Sequence, residues 1–187
     1  MFPGLFLDRD GVIIENRESY VRTWEEVAFY PQALSALARL APSPFKIVLV
    51  TNQSAVGRGI ISYDAALEIN RRVIAVVEQA GGRIDGAFMC PHAPVDACEC
   101  RKPRPGLLLQ AAQALSIDLS SSMMVGDALS DLQAGRAAGV RWSLLVRTGR
   151  GAGQADLPDA QGLRPISLYD SLAEVVEQYA SILLPGS

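Results

Sequence analysis

Two carboxylates, Asp8 and Asp10, follow the apolar run Leu5-Phe6-Leu7, and Gly11 comes directly after them. The run reads as a strand, and a glycine at its end lets the backbone turn sharply, so both anions arrive at one site. Carboxylates this close repel unless a cation or a proton sits between them. The pair is therefore half of a hard-metal site or an acid/base couple. Aspartate is also a common strand-end turn residue, so the matching parts elsewhere in the chain decide the reading. Thr51, Asn52, Gln53 and Ser54 end a second apolar run, and Asp127 ends a third, with Asp131 four residues on. Asp127 and Asp131 are expected on one face near a helix N-terminus, where capping alone would also favour them.

Lysine is rare in this chain: fifteen arginines accompany only Lys46 and Lys102. A lysine is ordinarily a solvated surface charge. Placed between Arg101 and Pro103, Lys102 points instead to a specific role, because a compact ammonium fits beside carboxylates where a planar guanidinium does not.

All three cysteines and the single histidine lie between positions 90 and 100, as Cys90, His92, Cys98 and Cys100. The spacing C-x-H-x5-C-x-C supplies four ligands of the kind that close a tetrahedral Zn²⁺ site, and a closed site is structural. Pro91, Pro94, Asp96 and Glu99 between them give the loop no apolar reason to order. The metal would fix the loop that carries Arg101 and Lys102. With His92 used as a ligand, no histidine remains for a Ser-His-Asp or Cys-His arrangement, and chemistry falls to the carboxylates.

These groups must be positioned by alternating elements. Strands are expected at 5–7, 45–50, 87–89, 123–126 and 143–146. Helices are expected from Pro31 to Ala41, from Ser62 to Ala80, after Pro105, from Asp127 and after Ser171, the last opened by a Ser171/Glu174 capping box. Residues 12–30 read as a charged loop, residues 149–153 as a glycine-rich loop, and the region near Ile166 as a short apolar segment. Such alternation gives an α/β fold with a mainly parallel central sheet, helices on both faces and right-handed crossovers. Ligands then bind at the C-terminal strand ends, where Asp8, Asp10, Thr51 and Asp127 sit.

With 187 residues, 49% of them hydrophobic, the chain suits a single domain over residues 1–187. A net charge of −3 argues against nucleic acid as a partner. Asp8 interrupts the first apolar run and no run approaches the ~20 residues of a membrane span, so a cytoplasmic protein without a membrane partner is expected. An odd cysteine count fits reduced thiols rather than a disulfide framework.

DRDGV at 8–12, TNQS at 51–54, RKP at 101–103 and GDALSD at 126–131 resemble, in order, the four motifs of the haloacid dehalogenase-like phosphohydrolases. The cysteine-histidine loop running into CRKP is similar to the branch holding heptose 1,7-bisphosphate phosphatases and histidinol-phosphate phosphatases. The resemblance covers roughly residues 5 to 150. It implies a Rossmann-like three-layer sandwich with a minimal cap and a zinc-bound loop at 90–100. It also implies a Mg²⁺-dependent phosphomonoesterase in which Asp8 attacks phosphorus to form an aspartyl-phosphate and Asp10 is the general acid and base.

On the same resemblance Mg²⁺ would be held by Asp8, the Asp10 carbonyl and Asp127, with Asp131 in support, while Thr51 and Lys102 hold the phosphoryl oxygens. Tyr20, Asn52, Gln53, Ser54 and Arg101 are the expected substrate contacts. Tyr20-Val21 resembles a pair in the heptose phosphatases, and Arg101 suits a second anionic group. Ala128 departs from the basic residue that some relatives carry after this aspartate. The expected substrate is a small sugar phosphate, heptose 1,7-bisphosphate ahead of histidinol phosphate, acted on by a monomer. The rival of another class is a catalytically idle, zinc-ordered interaction module.

Overall fold

The computed structural model describes residues 1–186. In chain order the elements are β1 (Phe2–Leu7), α1 (Pro31–Arg39), β2 (Lys46–Asn52), α2 (Ser54–Gly57), α3 (Tyr63–Gln79) and β3 (Gly86–Cys90). There follow α4 (Gly106–Leu115), β4 (Ile117–Gly126), α5 (Leu129–Ala138), β5 (Trp142–Val146), α6 (Gly151–Gln154), β6 (Ser167–Tyr169), α7 (Leu172–Gln178) and α8 (Ala180–Leu183). The strands form one sheet in the order β3-β2-β1-β4-β5-β6, and every neighbouring pair is parallel. No helix among the described residues is long and apolar enough to cross a membrane.

Alternate strand residues face opposite sides, which explains why the strands read as continuous apolar runs. Leu5, Leu7, Ile47, Leu49, Met123 and Val125 pack with Leu37 of α1, Val73 of α3 and Val175 of α7. Phe6, Val48, Val50 and Met124 pack on the other face with Leu107, Leu108 and Ala111 of α4. Helices thus cover both faces of an α/β sandwich. Ser62 caps α3, accepting a hydrogen bond from the Ala65 amide at 3.1 Å.

Sequence reasoning missed β6, α2 and α6, and it shortened β4. The three-residue β6 is too short to show a period, and only pairing with β5 makes it a strand. The expected glycine loop at 149–153 closes into α6, whose Gln154 accepts a hydrogen bond from the Leu129 amide at the start of α5. The Ser171/Glu174 capping box is also corrected. Ser171 makes no side-chain cap, and Glu174 accepts from the Asp170 amide instead. Asp127 lies before the helix rather than on it, since α5 begins at Leu129 behind the N-cap Ala128.

The extra length of β4 comes from a register shift. Phe2 and Pro3 pair with Ile117 and Asp118, whereas Leu5 pairs with Met123, so the ladder breaks between Pro3 and Leu5. The Gly4 amide, left without a ladder partner, donates to Oγ of the buried Ser122 at 2.8 Å. Ser122→Ala should therefore destabilise the chain by about 1–3 kcal/mol, the cost of stranding a buried amide. Urea unfolding with an unchanged m-value checks it, and a loss under about 0.5 kcal/mol would contradict it.

Candidate active site

Strands β1 and β4 are neighbours, and the connections leaving them run to opposite sides of the sheet, so their ends form the switch point of the strand order. Asp8 ends β1 and Asp127 follows β4. Gly11 between them has φ +89°, and a Cβ there would lie 2.2 Å from Oδ2 of Asp127, so both the turn and the close approach need glycine.

Lys102 reaches this point from the loop before α4 and is 3% exposed. Its ammonium donates to Oδ1 of Asp8 at 2.9 Å and to the Val50 carbonyl at 2.9 Å, and it pairs with Oδ1 of Asp131 at 2.6 Å. Its three protons are thereby placed. The loop is clamped by Asn52, whose Nδ2 donates to the Lys102 carbonyl at 3.0 Å while its Oδ1 accepts from the Lys102 amide at 3.1 Å. Asp131 accepts from the Ala128 amide through Oδ2 at 3.0 Å. Alanine cannot cap a helix, so Asp131 makes only the return half of a capping box, while the first helical amide, of Leu129, is taken by Gln154.

Asp127 is fully buried, and its Oδ2 accepts from Nδ2 of Asn16 and from the Arg150 amide at 2.9 Å. The Arg150 guanidinium reaches Oδ1 of the same group at 3.1 Å. Asp10 takes a forked pair of hydrogen bonds from Arg9, at 3.0 and 3.1 Å, and one from Nε2 of Gln53 at 2.9 Å. The same Gln53 nitrogen donates to Oγ1 of Thr51 at 2.9 Å, so Thr51 keeps its own proton for another partner.

Burial raises the Asp8 carboxyl to about 6, with Asp131 and Asp10 adding to the shift and Lys102 opposing it. Burial raises Asp127 as well, with Asp8 adding and Arg150 opposing. Burial would lower Lys102, but Asp131 and Asp8 outweigh it and hold the ammonium above its ordinary range. A cleft of about 640 Å³ opens over these groups.

A family model described as HAD-hydrolase-like matches residues 99–175. The D-glycero-beta-D-manno-heptose-1,7-bisphosphate 7-phosphatase of Bordetella bronchiseptica is 39% identical over 178 residues, covering 93% of this chain and 96% of its own. The enzyme of that name from Pseudomonas aeruginosa is 36% identical, over 91% and 94%. The chain belongs to the haloacid dehalogenase-like phosphatases. Within them it falls in the heptose-1,7-bisphosphate 7-phosphatase branch. A crystal structure of the D,D-heptose 1,7-bisphosphate phosphatase from B. bronchiseptica, complexed with magnesium and phosphate, superposes with a TM-score of 0.86 at 38% identity, over 95% of this chain and 98% of that one.

The expected residues of this phosphatase fall into three groups, of which Thr51 and Asp127 are buried and do not line the cleft. Asp8, Asp10, Lys102, Asp131, Tyr20, Ser54 and Arg101 line the cleft. Asn52 and Gln53 also reach it, but their amides are engaged within the protein, on Lys102 and on Asp10 with Thr51. Sequence reasoning missed Arg9, Asn16 and Arg150. Asn16 and Arg150 lie 111 and 23 residues from Asp127, and no local spacing announces either contact.

Two donor sets suit metals. Oxygens of Asp8, Asp127 and Asp131 lie within 4.8 Å of one another, a hard set suited to Mg²⁺. Cys90, His92, Cys98 and Cys100 also gather within 4.8 Å, and five of their donor pairs are 3.1–3.6 Å apart. Donors around a tetrahedral thiolate-rich metal ion lie about 3.4–3.8 Å apart, so this set fits as well.

The raised Asp8 value sets a pH dependence. The folded chain holds this proton more tightly than the unfolded one, so ionising Asp8 costs stability progressively as pH rises from its ordinary 3.8 to about 6. Magnesium would offset that cost only where Asp8 is ionised. The thermal stabilisation given by a fixed Mg²⁺ concentration should be clearly larger at about pH 7.5 than at about pH 5, and equal shifts at both would contradict the assignment.

Proposed function

We propose that this phosphatase hydrolyses the C7 phosphate of D-glycero-D-manno-heptose 1,7-bisphosphate through an aspartyl-phosphate on Asp8. The observation that carries the reading is the Asp8–Lys102–Asp131 cluster at the floor of the cleft, in a chain that matches heptose bisphosphate phosphatases over nine-tenths of its length. Asp8 attacks phosphorus in line with the departing sugar oxygen. Asp10 protonates that oxygen and later takes a proton from the water that cleaves the acyl phosphate. Thr51 holds a phosphoryl oxygen, and Lys102 holds another with the proton it gives to Asp8 in the free protein, as negative charge shifts among them. Asp8, the Asp10 carbonyl and Asp127 would hold Mg²⁺, with Asp131 steadying Lys102. Bound there, the metal supplies charge neutralisation between nucleophile and phosphate.

Tyr20, Ser54 and Arg101 are the substrate contacts in this reading, Arg101 taking the second phosphate. Asn52 and Gln53 serve instead to hold Lys102 and Asp10. Cover over the cleft is minimal, because residues 11–30 contain no helix longer than the turn Trp24–Glu26 and only isolated bridges at Ile14 and Phe29. Cys90, His92, Cys98 and Cys100 bind a structural Zn²⁺, which supports a cytoplasmic protein with its thiols in use as ligands. The chain acts as a single-domain monomer without a nucleic-acid partner, in keeping with its net charge of −3.

Released phosphate should show higher kcat/KM for heptose 1,7-bisphosphate than for histidinol phosphate, and Asp8→Asn should lower turnover by about a thousandfold or more in a folded protein. Preference for histidinol phosphate would replace the substrate, and an active Asp8→Asn protein free of deamidation would remove the covalent route. Elemental analysis after mild chelation should find about one zinc per chain and no magnesium, because a closed thiolate site releases its metal far more slowly than a carboxylate site. Zinc-free protein with reduced cysteines would overturn the metal assignment.

A further inference from the structure

Arg9 stands between the two aspartates of the first motif and is only 1% exposed. A guanidinium cannot be neutralised by losing a proton, so a buried one must find acceptors for its five N–H groups. Nε donates to Oδ2 of Asp10 at 3.0 Å, while Nη2 donates to Oδ1 at 3.1 Å and lies 2.9 Å from Oδ2. Nη1 donates to Oδ1 of Asn70 at 2.7 Å. Asn70 is itself buried on α3, and its Nδ2 lies 3.6 Å from the sulfur of Met89, so its amide is oriented from both ends. The fork of Arg9 is thus anchored on a helix and closed on a carboxylate that lines the cleft.

The lone pairs of Asp10 can then be counted. Each carboxylate oxygen offers two acceptor sites. Oδ2 accepts from Arg9 and from Nε2 of Gln53 at 2.9 Å, which fills both. Oδ1 accepts only from Nη2 of Arg9, so one site stays open there. Gln53 is held in turn by Thr51.

We infer that Arg9, anchored by Asn70, is a positioning residue that fixes the Asp10 carboxyl, together with Gln53, so that Oδ1 is the oxygen that gives and takes the proton. The inference rests on the reading of Asp10 as general acid and base. In the first half-reaction the Asp8–phosphorus bond forms, the bond from phosphorus to the sugar oxygen breaks, and Oδ1 passes its proton to that oxygen. In the second, a water oxygen bonds to phosphorus, its proton goes to Oδ1, and the Asp8 carboxylate departs. A lysine at position 9 keeps the charge but not the fork, and leaves the carboxyl free to turn.

The leaving group separates this role from general support of the fold. A sugar alkoxide needs the proton, whereas p-nitrophenolate departs without it. The ratio kcat/KM stops at formation of the phosphoenzyme, so it reads binding and the acid step and is blind to the later base step. Arg9→Lys should lose about tenfold or more in kcat/KM on heptose 1,7-bisphosphate and about threefold or less on p-nitrophenyl phosphate. Asn70→Ala, which removes the anchor and spares the charge, should show the same selective loss more weakly, and it decides the matter alone if Arg9→Lys melts at assay temperature. Equal losses on both esters in a folded variant would overturn the inference. Asp10→Asn is the control. If it is selective and the Arg9 and Asn70 variants are not, only the positioning role falls, whereas a non-selective Asp10→Asn removes the reading of Asp10 and this inference with it.

Discussion

Three carboxylates, from Asp8, Asp127 and Asp131, converge within 4.8 Å in a nearly solvent-free site, and the fold holds them together only by bringing cations to them. Lys102 is the chief of these, lying 2.9 Å from Asp8 and 2.6 Å from Asp131. Removing one member of such a buried cluster costs about 3–5 kcal/mol, because it strands the charges that remain. Arg150 adds a second cation against Asp127. Two cations against three anions leave the cluster one negative charge in excess when all are ionised, which is the balance that suits a divalent metal and burdens Asp8 without one. Asp10 stands outside this account, since Arg9 balances it separately.

Delivery of Lys102 explains much of the remaining architecture. Lysine is long and costly to order, and the loop that carries it has no hydrophobic core of its own. Asn52 at the end of β2 grips the Lys102 backbone through both ends of its amide, and Cys90 lies directly across the ladder from Asn52. The cysteine-histidine loop therefore starts beside the clamp and ends two residues before the lysine. Gly57 of α2 donates to the Pro91 carbonyl at 2.8 Å, and a Cβ on it would come within 2.4 Å of the Ala93 amide. Three neighbouring segments thus fix one ammonium.

How much of this could be read from sequence followed the range of the interactions. The acids were legible because each ends an apolar run, and a parallel sheet brings such ends together. Lys102 was legible through its rarity, and the gathering of Cys90, His92, Cys98 and Cys100 through their spacing. Asn16 and Arg150 were not, because they sit in polar loops whose contacts are made only after β1, β4 and β5 align. Arg9 was read past as the middle of a motif, although an arginine inside an apolar strand end needs a buried partner. Asn52 and Gln53, expected as substrate contacts, do reach the cleft, but no sequence pattern showed that their amides also hold Lys102, Asp10 and Thr51.

The placement of cations in the cleft follows from the same geometry, Arg17, Arg101, Lys102 and Arg150 standing in its lining against Asp8, Asp10, Glu18 and Asp131. Ala128 is buried, and its amide is spent on Asp131, so the position after Asp127 sends no charge outward. Arg150 approaches the same Asp127 carboxylate from the loop after β5, with its side chain more than half exposed and part of the cleft wall. Arg101 faces the cleft too, its guanidinium donating to the His92 carbonyl at 3.5 Å. A guanidinium that neutralises a metal-binding carboxylate can turn to an anion once a metal takes over that task, because the two cations then compete for one acceptor. Position 128 thus sends no charge to the cleft, while Arg150 brings one to its wall from the loop after β5.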